Sequence, residues 1–153
     1  MTIRRATRDD LPTIAELIGE LADYEKLAHE VEWRDPEVLA EHLFGPVPAA
    51  HVHVAETDDG VVAGMALWFT TFSTFVGRPG IWLEDLYVRP AFRGHGFGKA
   101  LLTTLMDLSP GRVEWTVLDW NQSSIDFYDS LGAEPIPGWT RYRWIAPDGA
   151  AAS

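Results

Sequence analysis

Residues 81–108 read IWLEDLYV, RPAF, RGHGFG, KALLTTLMDL: an apolar run, a break, a glycine turn and an amphipathic run. Ile81 to Val88 is apolar at most positions, as a buried strand is, and Pro90 stops it. From Gly98 to Leu108 the leucines at 101, 102, 105 and 108 fall on one side of a helix. Between the two, alternating glycines let the backbone turn sharply and approach a ligand closely. Exposed N–H groups and a helix N-terminus together favour an anion, and Arg93 and Lys99 add positive charge. A further strand is predicted over Val113 to Leu118. A strand–helix–strand unit spanning 81–118 is where a sheet flanked by helices binds its ligand.

Three phosphate-binding patterns compete for the turn. The ATP-binding loop needs Gly-x4-Gly-Lys-Ser/Thr, but Arg93 stands where its first Gly belongs and Ala100 where its hydroxyl belongs. The dinucleotide fingerprint Gly-x-Gly-x-x-Gly, counted from Gly94 and Gly96, finds Lys99 at its third Gly. Arg-x-x-Gly-x-Gly fits, as Arg93, Gly96 and Gly98. The plain alternative is a glycine-rich connection with no ligand.

Outward from this unit the pattern is regular. Thr2 to Ala6 reads as a short strand. Thr7 and Asp10 make a capping box, with Pro12 in the first helical turn. Leu11, Ile14, Ala15, Ile18, Leu21 and Ala22 then form one apolar stripe. Asp35-Pro36 starts a shorter helix that Gly45 ends. His51 to Glu56 and Val61 to Phe72 flank the hairpin signal Asp58-Asp59-Gly60. Arg78-Pro79-Gly80 reads as another turn. Ser123 to Leu131 reads as a helix closed by Gly132, and Trp139 to Ile145 as a final strand. The order is strand, two helices, three antiparallel strands, then helix, strand, helix, strand. That is an α/β (α+β) arrangement, a mixed sheet with helices on its faces. One domain is expected over 1–146, with 147–153 as a flexible tail.

The 153 residues suit one compact domain, and 46% are apolar, as in globular chains. No apolar run reaches the ~20 residues of a membrane span, and MTIRRATRDDLP has no apolar core for a signal peptide. We therefore expect a cytoplasmic protein with no membrane partner. The absence of cysteine excludes disulfides, thiolate catalysis and Cys-ligated zinc. A net charge of −11 argues against nucleic-acid binding, which needs a basic surface. That charge serves solubility or attracts cationic substrates. His51 and His53 share a strand face, which would be half of a metal site. No third ligand has matching spacing, so a surface or packed pair is expected, and no metal.

Leu83-Glu84-Asp85-Leu86-Tyr87-Val88-Arg89-Pro90, RGHGFGKALL, Asn121, and Tyr128 before Leu131-Gly132-Ala133 resemble the GNAT acetyltransferase superfamily. The likeness extends to its spermidine/spermine (diamine) and thialysine N-acetyltransferase branch. LADYEKL (21–27), WLEDLYVRPAFRGHGFG (82–98), VLDWNQSSIDFYDSLGA (117–133) and Gly138-Trp139 carry it. The resemblance implies a single-domain fold around a mixed, largely antiparallel sheet of six to seven strands, splayed into a V, with about four helices. It implies acetyl-CoA in the opening, between strands 81–88 and 113–118. The backbone of Leu86, Tyr87 and Val88 would pair with pantetheine. Arg93, Gly94, His95, Gly96, Phe97, Gly98 and Lys99 would hold the pyrophosphate, and Asn121 and Ser124 the pantetheine side. It also implies a homodimer.

Acyl transfer to an amine must remove an amine proton, stabilise the thioester oxygen and stabilise the departing thiolate. Tyr128, two turns into its helix, is the expected acid. A phenol with a pKa of about 10 is protonated at neutral pH. Its alternative is a core aromatic beside Phe127. Glu84 is the expected base, acting through water. A mid-strand carboxylate is costly unless it faces a cleft or a partner. Alternation puts Glu84 with Trp82 and Leu86, and Asp85 on the other face. A structural ion pair is the alternative for both acids, and the favoured one for Asp85. A backbone N–H near Leu86 is the expected oxyanion donor. Tyr24 and Glu25 match a substrate-contacting pair of the branch, against a solvated helix end. Trp68, Phe72, Phe75, Trp82 and Trp139 wall a pocket or fill the core.

The sequence departs from the branch in two places. An acidic pair expected before Gly138-Trp139 is replaced by Ile136-Pro137, and residues 72–77 (FSTFVG) hold no acid. A long polyamine would lose partners for its far end. These departures suit a lysine-like or thialysine-like amino acid or a small diamine. The competing functions are a protein or peptide N-acetyltransferase, with an open groove, and a non-catalytic CoA-binding module.

Overall fold

A computed structural model of the protein describes residues 1–147. The expected tail, apart from Pro147, lies outside the described residues. The chain divides into two units, residues 1–116 and 117–153.

The first unit holds a five-stranded sheet in the order β1-β2-β3-β4-β5, where six to seven strands were expected. Its strands are β1 (Thr2–Arg5), β2 (His51–Glu56), β3 (Val62–Ser73), β4 (Arg78–Val88) and β5 (Val113–Glu114). The first four pair antiparallel and β5 joins β4 in parallel, so the sheet is mixed, as the sequence implies. Three helices belong to this unit: α1 (Leu11–Tyr24), α2 (Glu37–Phe44) and α3 (Phe97–Leu108).

Helix α1 forms where its apolar stripe predicts. Thr7 and Asp10 make the capping box: the Thr7 amide donates to Asp10 Oδ2 at 2.7 Å. Arg4 grips the same carboxylate through Nη1 and Nη2 at 2.8 and 2.9 Å and holds it below the usual carboxylate range. The helix buries Ile14 and Leu21 of that stripe, together with Leu17, which the expected stripe left out, against Val52, Val54, Met65 and Tyr87. Each such side chain contributes about 1.5–3 kcal/mol on leaving water. Helix α3 packs on strands β1 to β4 and buries Leu101, Leu102 and Leu105 completely.

Two local expectations are corrected. The turn between β3 and β4 is Thr74–Gly77, with Gly77 at φ +71°, and Arg78-Pro79-Gly80 begins β4. Gly80 is needed for close approach, since a Cβ there would lie 2.8 Å from the Arg112 carbonyl oxygen. The strand predicted over 113–118 pairs only at Val113 and Glu114, opposite Ile81 and Trp82.

One register slip shapes β4. Leu67 faces Asp85, but the next residue, Trp68, faces Leu83. Glu84 is therefore the extra residue of a β-bulge. Residues paired across strands share a face. Asp85 and Tyr87, opposite Leu67 and Met65, lie on the α1 face. Leu86, opposite Ala66, lies on the other. Upstream of the bulge the phase inverts, so Leu83 shares the Trp68 face and Trp82, opposite Phe69, returns to the α1 face. Trp82 and Leu86 thus face opposite ways, where simple alternation put them together.

The second unit holds α4 (Gln122–Ser130), followed by Gly132 at φ +83°. The strand expected over 139–145 does not form: none of the described residues pairs with it. Its large side chains stay exposed, Trp139 at 81%, Tyr142 at 91% and Trp144 at 81%.

Candidate active site

The turn after β4 leaves backbone N–H groups without side-chain caps at the start of α3. A short 3-10 turn, Pro90–Phe92, leads into it. Gly94 and Gly96 take φ +78° and +86°, the left-handed region that favours glycine, and nothing lies within 4 Å of a Cβ added at Gly94. Gly96 is the N-cap of α3 and offers no side chain to it. The first-turn amides, those of Phe97, Gly98 and Lys99, lack intrahelical acceptors by helix geometry. Phe97 itself is buried, edge-on to Phe92 at 6.0 Å, so its ring is not available at the turn. His95 and Lys99 are exposed, and His95 Nδ1 meets the Phe92 carbonyl at 3.3 Å.

Arg93 is placed otherwise than expected. Its Nε donates to the Val88 carbonyl oxygen at 2.8 Å. Its guanidinium lies 5.1 Å from the Tyr24 ring centroid and 5.5 Å from that of Tyr87. It braces the end of β4 and the end of α1 at once.

The edge of β4 is open where the cofactor is expected. Within the first unit β5 pairs with β4 only at Ile81 and Trp82. From Leu83 to Val88 that side of the strand carries no partner strand among the described residues. Gly64 of β3 backs this stretch so closely that a Cβ on it would lie 2.4 Å from the Tyr87 carbonyl oxygen.

Three carboxyls gather beside it. Helix α1 ends at Tyr24, Glu25 caps it, and Lys26 turns the chain at φ +60°. The Leu27 amide returns to the Ala22 carbonyl at 2.8 Å, which fixes Tyr24 and Glu25 in place. Burial, then the charge of Glu84, push the Glu25 carboxyl up from its ordinary value. Asp85 is pushed up to about 7, first by burial and then by Glu84 and Glu25. Glu84 is exposed at the bulge, and the Trp82 indole Nε1 donates to its Oε2 at 2.9 Å.

Asp85 is the residue that sequence reasoning undervalued. Among the described residues it forms no ion pair, so the structural pairing favoured for it is replaced by a like-charged cluster. Its signal was present as two adjacent acids in a strand. The bulge that brings both toward one side was not readable from alternation.

In the second unit Asn121 is buried and caps α4, its Oδ1 accepting from the Ser124 amide at 3.3 Å. That bond uses the Ser124 backbone N–H. Tyr128 is half-buried, its ring 5.4 Å from that of Phe127. The two histidines of β2 are packed as a pair: His53 Nδ1 accepts the Trp68 indole N–H at 3.0 Å, and the His51 ring lies 4.7 Å from that indole. Burial first, then Arg5, lower both their pKa values. Phe72 and Phe75 are exposed, and Trp68 is core.

Known proteins resemble this chain along nearly its whole length. It is 36% identical to a bovine (Bos taurus) thialysine N-epsilon-acetyltransferase, over 93% of this chain and 91% of the relative. It is 31% identical to an Arabidopsis thaliana L-ornithine N5-acetyltransferase, over 90% and 81%. A solved structure of an integron cassette protein from V. cholerae superposes with a TM-score of 0.75 at 25% identity, covering 95% of this chain and 92% of that one. With these relatives and this fold, the protein is an N-acetyltransferase. Residues 18–133 match the model of the acetyltransferase (GNAT) family, and the chain belongs to that family.

Proposed function

We propose that the protein acetylates a small primary amine, using acetyl-CoA as donor, by direct attack in a ternary complex. The observation that carries this reading is the cluster of Glu25, Glu84 and Asp85 beside an open edge of β4. Three neighbouring carboxyls without a cation are costly, and an ammonium relieves that cost. The uncapped first turn of α3 and the left-handed glycines before it fit a pyrophosphate. The edge of Leu86, Tyr87 and Val88 fits a pantetheine arm bound as an added strand. Asn121 and Ser124 are assigned to the pantetheine as well, on the resemblance to the family.

Acetyl-CoA supplies an acetyl thioester there. Glu25 and Asp85 hold the ammonium. Glu84, steered by the Trp82 indole, takes the amine proton through a water. A backbone N–H near Leu86 donates to the thioester oxygen. Tyr128 gives a proton to the departing sulfur. One acetyltransferase domain over 1–146 does this work.

The acceptor best supported is a lysine-like or thialysine-like amino acid or a short diamine. The acids that would grip the far end of a polyamine are missing at Ile136-Pro137 and in residues 72–77. Two relatives are named for thialysine and ornithine, amino acids whose side chains end in an amine. We further propose a homodimer, in which the exposed Trp139, Tyr142 and Trp144 are covered.

A thiol-release assay with acetyl-CoA tests the reading. Thialysine, lysine, ornithine and putrescine should turn over faster than spermine or peptides. No turnover with any amine would remove it, and preference for a peptide would favour a protein acetyltransferase. In the same assay Tyr128→Phe should lose roughly 100-fold or more in turnover, the usual scale of a general acid, with CoA affinity kept.

A further inference from the structure

Arg93 opens the glycine turn, yet its exposed side chain turns back toward the ends of β4 and α1. The Nε bond to the Val88 carbonyl, at 2.8 Å, fixes its root to the last residue of β4. Its guanidinium then lies over Tyr24, the last residue of α1, and over Tyr87, at 5.1 and 5.5 Å. The Tyr87 hydroxyl faces both Arg93 and Glu20 of α1. A second arginine repeats the link one residue past β4: Arg89 donates to Glu16 at 2.9 Å and to Glu20 at 3.1 Å. The end of β4, the turn and the C-terminal half of α1 are therefore held as one piece. Glu25, next to Tyr24, faces Glu84.

We propose that Arg93 is a positioning residue that couples the two substrates, passing the ordering of the glycine turn to Tyr24 and Glu25. This rests on the reading that the turn holds the CoA pyrophosphate. An anion on the amides of residues 94–99 settles the turn, and with it the backbone from which Arg93 springs. A settled guanidinium holds the Tyr24 ring and so the end of α1. Cofactor and amine then favour each other's binding, and the linkage is reciprocal. A lysine cannot replace this arginine, because its ammonium has no planar face and no Nε–H for Val88.

Amide hydrogen exchange with and without saturating CoA tests the coupling and needs no knowledge of the amine. In the wild type, CoA should slow exchange both at residues 93–100 and at 22–27. In Arg93→Lys, which keeps the charge, the slowing at 93–100 should remain and most of that at 22–27 should vanish. Slowing at 22–27 that is absent in the wild type, or equal in the variant, overturns the proposal. A wild-type turn that CoA leaves unprotected instead removes the CoA reading on which it stands. Tyr24→Leu, with arginine and turn intact, provides the second arm. By reciprocity it should weaken CoA binding roughly threefold, on the scale of a stacked guanidinium. Unchanged CoA affinity in that variant likewise overturns the proposal.

Discussion

Asp85 keeps its proton to about pH 7 because burial disfavours the charge and two neighbouring carboxyls oppose it. Its ordinary value is 3.8, so the folded state binds the proton more tightly than the unfolded chain does. Below that value both states are protonated and Asp85 costs nothing. As pH rises toward 7 the unfolded chain ionises first, and stability falls. Asp85→Asn should therefore raise the melting temperature at pH 8 and leave it nearly unchanged at pH 4, measured calorimetrically without ligand. An equal gain at both values would show that Asp85 is not the titrating group. At this scale the site was partly readable in advance. Glu84 and the glycines announced themselves by residue type and spacing, because backbone turns and mid-strand acids are local signals. The placement of Arg93 was not readable. Its neighbours Tyr24 and Tyr87 lie far apart in the chain and meet it only after α1 packs on the sheet.

Strand β4 is the element on which the site depends, and β3 supports it at the narrowest point. Gly64 faces Val88, and a Cβ there would meet the Tyr87 carbonyl oxygen at 2.4 Å and Val88 Cα at 3.0 Å. Both contacts are backbone, so the strands must part. Gly64→Ala should cost about 1–3 kcal/mol of stability, the scale of an overpacked core, and weaken CoA binding with it. Chemical denaturation and CoA titration measure the two losses; a variant as stable as wild type would show that the strands yield freely. Elements with local signals were legible: the stripe of α1, the leucines of α3 and the Asn121 cap of α4 each mark a helix within a residue or two. The strand expected over 139–145 was not, because pairing belongs to two segments and the candidate's own letters cannot supply the second. Gly80 misled for a related reason. A glycine marks a turn or a close approach, and only the position of Arg112 decides between them.

For the whole molecule, the net charge of −11 and the exposed aromatic stretch near the C-terminus pull in different directions. Charge favours separate chains, whereas Trp139, Tyr142 and Trp144 lose free energy in water and favour being covered. We expect covering to win: sedimentation should give twice the mass of one chain, and Trp139→Ser with Trp144→Ser should return it to one. A wild type that sediments as a single chain at assay concentrations would remove the dimer. The bulge at Glu84 has a consequence for how such a chain can change over generations. It works as a phase shift, so that the outer and inner halves of β4 carry opposite reading frames of inside and outside while β3 keeps one frame throughout. Removing one residue at position 84 would restore an unbroken ladder, with Leu83 still opposite Trp68 and Trp82 still opposite Phe69, so the faces would stand and only the bulge and its carboxyl would go. Lineages of this fold can therefore lose that residue and keep both halves of the strand in frame, but only by giving up the carboxyl that the bulge presents, whereas a loss anywhere else in β4 would have to be made good by moving the bulge.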